Sequence, residues 1–155
     1  MTVQGKDVDQ RVPSVEGRAA MSEANVKIVK DAYAAYGTGD HSAVLAMMTP
    51  DVTWESVGQE HDYPTFGEVR RGREGVKRVL AAISDGLEFT AFEPQEFYPS
   101  GDKVFVLGYF AGNMRAGARS VKSKFVQIFT LRDGKISGYS EFQDTGAVGR
   151  AFRDD

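Results

Sequence analysis

The sequence predicts an α+β domain, on three observations. Helical periodicity marks the first half of the chain: Val26, Val29, Tyr33 and Tyr36 recur every three or four residues, as do Val76, Val79, Leu80 and Ile83. The second half alternates. In Ser120 to Leu131, Phe125, Gln127, Phe129 and Leu131 point one way while Lys122, Lys124, Val126 and Ile128 point the other. Helices first, then a meander of long strands, is the segregated order of α+β proteins.

Each element follows from local cues. Residues 1–21 have no sustained hydrophobic period, and Pro13 interrupts any helix, so they read as an extended arm. Met21 is a second candidate start, and one domain covers 22–155. Ser22 caps the first helix, and Gly37-Thr38-Gly39 stops it. Asp40 caps a short second helix carrying Val44, Leu45 and Met48, which ends at Pro50-Asp51. Val52 to Val57 is the first strand, followed by a loop from Gly58 to Arg71. Gly72-Arg73-Glu74-Gly75 opens a third helix. Strands follow at Phe89–Phe97 (interrupted near Pro94), Lys103–Met114, Ser120–Leu131 and Lys135–Gln143. Asp133-Gly134 makes the last hairpin turn. Gln127 on the apolar face of Phe125, Phe129 and Leu131 is a polar insertion. A sheet with such a face encloses a pocket or packs on a partner subunit.

Composition excludes several functions. Hydrophobic residues at 41% and charged residues at 26% are ordinary globular values. A net charge of −3 argues against a general nucleic-acid binder, and no apolar run approaches a membrane span. No secretory leader pattern is visible, so the cytoplasm is the expected location. Without cysteine there is no disulfide framework, thiol catalysis or Cys-ligated metal. His41 and His61 lack metal-ligand spacing, so no metal is expected. Arg115, Arg119, Lys122 and Lys124 gather at one turn, as an anion site or as a solvated edge that blocks aggregation.

The string Tyr33-Ala34-Ala35-Tyr36-Gly37-Thr38-Gly39-Asp40, followed by Met47 through Trp54-Glu55, resembles the opening of SnoaL-like proteins. Arg71 through Val76, Leu131 through Ile136, and Glu141-Phe142-Gln143-Asp144 continue the pattern over about residues 22–152. These proteins belong to the superfamily of nuclear transport factor 2 (NTF2), ketosteroid isomerase and scytalone dehydratase. The resemblance implies a cone-shaped, curved antiparallel sheet wrapped by three N-terminal helices (NTF2-like, cystatin-like). It also implies a homodimer paired through the sheet's outer face, no cofactor, and a small apolar molecule as ligand.

By the same resemblance, Glu55 takes the place of the isomerase aspartate that moves a proton. Gln127 takes that of the neutral acid in the oxyanion hole, a carboxylic acid that apolar surroundings keep protonated so that it donates a hydrogen bond. Gln127 is alternatively a buried amide satisfying backbone groups. Glu141, sharing a face with Tyr139 and Gln143, approaches Glu55 at the cavity mouth or pairs with Arg70, Arg71 or Lys124. The isomerase's oxyanion tyrosine corresponds to Ala32, one position before Tyr33 and so turned by about 100° on a helix. With both oxyanion donors changed, ketosteroid isomerisation itself is not expected. His61, in the loop over the mouth, is a candidate proton shuttle. Tyr33, Trp54, His61, Phe66, Phe125, Phe129 and Tyr139 are the expected substrate-binding residues. The resulting expectation is a cofactor-independent isomerase, cyclase or lyase using carboxylate acid/base catalysis on a small apolar cyclic substrate. A non-catalytic dimeric ligand-binding or structural module is the alternative.

Overall fold

The computed structural model describes residues 12–153. Helix α1 (Val15–Gly37) begins where Pro13 ends the upstream chain and the Ser14 hydroxyl accepts the Gly17 N–H at 3.0 Å. Residues 15–21, expected as arm, are therefore its first turns, and Ser22 lies inside the helix. No apolar period announces them because they pack on almost nothing: Val15 and Met21 are exposed, and the first buried residue of α1 is Val29. The rest of the expected arm, residues 1–11, lies outside the described residues.

Asp40 caps α2 (His41–Ala46) through the Ala43 N–H at 3.0 Å, as expected. Strand β1 (Met48–Ser56) starts earlier than the sequence suggests, passing Pro50 where its pairing with the last strand shifts register. After the loop come β2 (Arg70–Arg71) and α3 (Gly72–Gly86), whose buried face is Gly75, Val76, Val79 and Leu80. Then follow β3 (Leu87–Ser100), β4 (Lys103–Met114), β5 (Ser120–Arg132) and β6 (Lys135–Gln143). The β5–β6 turn uses Asp133 and Gly134 with φ of 51° and 78°, the left-handed pair that a tight hairpin needs. A fourth helix, α4 (Thr145–Arg153), goes beyond the three expected; Asp144 caps it by accepting the Ala147 N–H at 2.9 Å.

The six strands form one sheet in the order β2-β1-β6-β5-β4-β3. Its neighbours are antiparallel except β1 and β6, which run parallel, so the sheet is mixed rather than wholly antiparallel. The parallel pair arises because β1 docks beside the last strand, a pairing that no turn signal encodes.

Curvature comes from β3 and β4. β3 shifts register between Phe89 and Ala91 and again between Pro94 and Glu96, and Gly112 and Gly108 of β4 lie opposite Phe89 and Pro94. An added Cβ at Gly108 would meet the Glu93 carbonyl at 2.5 Å, and one at Gly112 the Glu88 carbonyl at 2.6 Å. Bulges bend β3, and the glycines let its backbone close in. Between the concave face and α1–α3 lies the core, with Val29, Met48, Val52, Val76, Leu80, Val104, Val106 and Ile136 essentially inaccessible to solvent.

Candidate functional site

Strand alternation decides which side chains enter the cone. From Val52 onward the buried residues of β1 are Val52, Trp54 and Ser56, with Thr53 and Glu55 on the opposite face. The ladder then sets two rows across three strands. Ser56 pairs with Glu141 and Glu141 with Gln127; Trp54 pairs with Tyr139 and Tyr139 with Phe129. A polar row thus runs beside an aromatic one, inside a cavity of about 100 Å³. The remaining wall is largely apolar, including Tyr36, Phe66, Leu80, Phe89, Phe92 and Phe110.

The polar row is hydrogen-bonded around one carboxylate. Glu141 Oε2 accepts from Gln127 Nε2 and from the Tyr139 hydroxyl (3.0 Å), and Oε1 accepts from Gln143 Nε2 (2.9 Å). Gln127 Oε1 in turn accepts from the Tyr33 hydroxyl at 2.5 Å. This orients the amide so that its NH₂ faces Glu141. No Arg, Lys or His forms an ion pair with Glu141 among the described residues. Trp54 stacks on Tyr139 at 3.7 Å between ring centroids, and Phe129 meets Tyr139 edge-on.

Burial raises the Glu141 pKa above the usual carboxylate value, an effect partly offset by the Gln127 and Tyr139 hydrogen bonds. The phenols are pushed up as well, first by burial and then by the Glu141 charge. Tyr36 reaches about 12, and Tyr33 and Tyr139 rise too. At neutral pH these tyrosines therefore remain protonated donors.

The Glu141 shift has a stability consequence. A carboxyl with a raised folded pKa binds its proton more tightly folded than unfolded. Its stabilising contribution is complete below the unfolded value, near 4.5, and is lost as pH rises through the folded value. Urea denaturation at a series of pH values should show wild-type stability falling relative to Glu141→Gln as pH rises through that window. Parallel curves for the two proteins would contradict the shift.

Seven of the ten expected site residues line the cavity: Tyr33, Trp54, Phe66, Gln127, Phe129, Tyr139 and Glu141. Three do not. Glu55 is half-buried on the outward face of β1, because Trp54 and Ser56 take the inward one. That placement does not fit a cavity base, nor an approach of Glu141 to Glu55 inside the cone. His61 is largely exposed, with Nε2 3.6 Å from Asp62, and does not line the cavity. Phe125 is buried, but it stacks on Phe92 and fills the space left by Gly108 rather than facing the open volume. Glu141 takes Gln127, Tyr139 and Gln143 as partners, not Arg70, Arg71 or Lys124. At the basic turn, Arg115 donates to the Ser84 carbonyl at 2.9 Å.

Sequence reasoning missed Ser56, Thr65, Tyr36, Tyr63 and Gln143, all in the lining. For Ser56 the signal was present. Val52-x-Trp54-x-Ser56 carries its two large apolar residues on one parity, so the inward face is the even one. Among the described residues, no group of three or more His, Cys, Asp or Glu could hold a metal ion, and no helix is long and apolar enough to cross a membrane.

Comparison with known proteins agrees with this architecture. Residues 29–139 match the SnoaL-like domain. An NTF2-like protein from Burkholderia xenovorans is 32% identical, with a TM-score of 0.77 over 85% of this chain and 98% of its own. An NTF2-like protein from Burkholderia pseudomallei is 26% identical, with a TM-score of 0.76 over 84% and 98%. TerC, crystallised with polyporic acid, is 27% identical, with a TM-score of 0.72 over 83% and 98%. Among proteins with curated descriptions, none is matched. With a curved sheet enclosing an apolar cavity and a domain match over most of its length, the chain belongs to the SnoaL-like family of the NTF2-like superfamily.

Proposed function

We propose that the protein is a cofactor-independent acid/base enzyme of isomerase, cyclase or lyase type, acting on a small apolar cyclic substrate, with Glu141 as the group that moves the proton. One observation carries the reading. A single carboxyl lies in an apolar cavity without a cationic partner, and three neutral side chains donate to it. A structural carboxylate is ordinarily neutralised by Arg or Lys, whereas one held only by neutral donors keeps a raised basicity available for chemistry.

In this reading the Glu141 carboxylate removes a proton from a carbon next to a carbonyl. The C–H electron pair moves into the adjoining C–C bond and the carbonyl π pair onto oxygen, giving an enolate. Glu141, now a carboxylic acid, returns the proton at the far carbon where the enolate is conjugated with a second C=C bond, or the enolate carbon attacks a carbonyl within the same molecule and Glu141 gives its proton to the alkoxide that forms. Tyr33 and Gln127 position the carboxylate, while Tyr63 and Phe66 from the 58–69 loop help exclude water. The cavity, about 100 Å³, is comparable with the roughly 150 Å³ that accommodates benzene in an engineered core. The substrate's reacting part is therefore about one ring in size. A relative crystallised with polyporic acid supports a cyclic ligand. Pairing as a homodimer belongs to the same proposal. The outer-face row Leu107–Val126–Phe142 is half-buried or exposed in the single chain, as an apolar sheet interface would be.

The test is hydrogen exchange at substrate carbon. Incubated in D₂O with simple cyclic ketones, the protein should accelerate loss of the α-proton NMR signals above the buffer rate. Exchange at the buffer rate across the set would remove the acid/base reading and leave a binding module.

A further inference from the structure

Two polar groups in the cavity wall have no protein partner. The Trp54 indole N–H is buried and finds no acceptor, and Trp54 is 8% exposed overall. Ser56, two residues along on the same inward face and 2% exposed, has a hydroxyl that makes no hydrogen bond among the described residues. A buried donor without an acceptor costs free energy, so a native fold that keeps the Trp54 N–H unpaired, two residues from a hydroxyl that is also unbonded, calls for an explanation.

Their surroundings supply it. Both residues line the cavity from the strand next to Glu141: Ser56 is paired with Glu141 itself, and Trp54 with Tyr139. The backbone around Ser56 is fixed from both sides. Its carbonyl accepts the Gly67 N–H at 3.0 Å, and the next residue's N–H donates to the Glu141 carbonyl at 2.9 Å. Trp54 is fixed by its stack on Tyr139. An indole N–H donates only, a serine hydroxyl donates or accepts, and a carbonyl oxygen has two lone pairs.

We propose that Trp54 and Ser56 form a donor edge on β1 that holds a carbonyl or enolate oxygen of the ligand next to the Glu141 carboxyl. This rests on the acid/base reading above and adds the missing half of the site. Gln127 commits one amide hydrogen to Glu141 and its carbonyl to Tyr33, which leaves it a single further N–H for a ligand. β1 adds to it two groups with no other partner, and fixed donors are what stabilise a developing negative charge most. The carbonyl that the acid/base reading requires is thereby placed on the β1 side of the cavity, beside Glu141.

The test compares two ligands of one shape, cyclohexanone and methylenecyclohexane, which differ only in C=O against C=CH₂. Trp54 is the sole tryptophan, so the ¹⁵N-labelled protein has one indole N–H resonance that reports directly on the donor. The expected result is that cyclohexanone binds about tenfold more tightly and moves that resonance downfield, as a new hydrogen bond does. Trp54→Phe and Ser56→Ala should each shrink the ratio of ketone to methylenecyclohexane affinity, whatever either change does to the affinity for both ligands together. Equal affinity for the two ligands, with a ratio unchanged in both variants, would overturn the donor edge and leave the apolar pocket standing. Failure of both ligands to bind would overturn the pocket reading and the donor edge with it.

Discussion

Glu141→Gln should keep the wild-type fold and lose about 10²- to 10⁴-fold of any catalysed α-proton exchange, the usual contribution of a positioned general base. The substitution keeps shape and hydrogen-bonding length while removing basicity. Its carbonyl oxygen can stand where Oε2 accepts from Gln127 and Tyr139, and its NH₂ then faces Gln143, whose own amide can turn to accept. Glu55→Gln is the informative comparison. Glu55 lies on the outward face of β1, so that variant should exchange protons at the wild-type rate. A loss confined to Glu55→Gln would reverse the assignment and return the base to the outer position that family resemblance suggests.

Gly108→Ala should be the most damaging single methyl addition in the sheet. The new Cβ would run into the Phe125 ring and sit 2.5 Å from the Glu93 carbonyl. The ring could swing aside, but the carbonyl belongs to β3 and moves only if the bulged strand moves with it. Overpacking usually costs about 1–3 kcal/mol, and a backbone clash belongs at the upper end of that range. The loss should lower Tm by several degrees, about 6–12 °C for a domain of this size. The same variant should also bind cyclic ligands less well, because Phe125 stacks on Phe92 of the cavity wall. An unchanged Tm would mean that the close approach of β3 to β4 is not what curves the sheet.

Much of this fold was legible because its strands carry their own periodicity. β4 and β6 begin and end at Lys103, Met114, Lys135 and Gln143, where alternation and the Asp133-Gly134 turn put them. Gln127 was visible as a polar interruption of an apolar face, and its side chain lies in the cavity lining. The errors have physical sources. Helix α4 contains Gly146 and Gly149, which weaken intrinsic helix preference, so its cap at Asp144 and its packing decide its existence. The first turns of α1 bury no stripe, so there was no period to read. For β1 the choice of face is binary, and the resemblance at Glu55 outweighed the hydrophobicity of Trp54, which settles the parity. Its parallel pairing with β6 is a tertiary event between distant segments, and neither propensity nor turn chemistry records it.

That pairing also sets when the site can come into being. Ser56 and Trp54 emerge in synthesis well before their neighbours Glu141 and Tyr139. Until β6 is made, the inner edge of β1 has no strand beside it, and the hydrophobic wall around Trp54 has no lid of aromatic partners. Such an edge, exposed while translation proceeds, can pair with other chains as readily as with its own. The acid and the donors that would serve it are thus joined in a late step. The wall of the cavity is complete only when β1 and β6 have met.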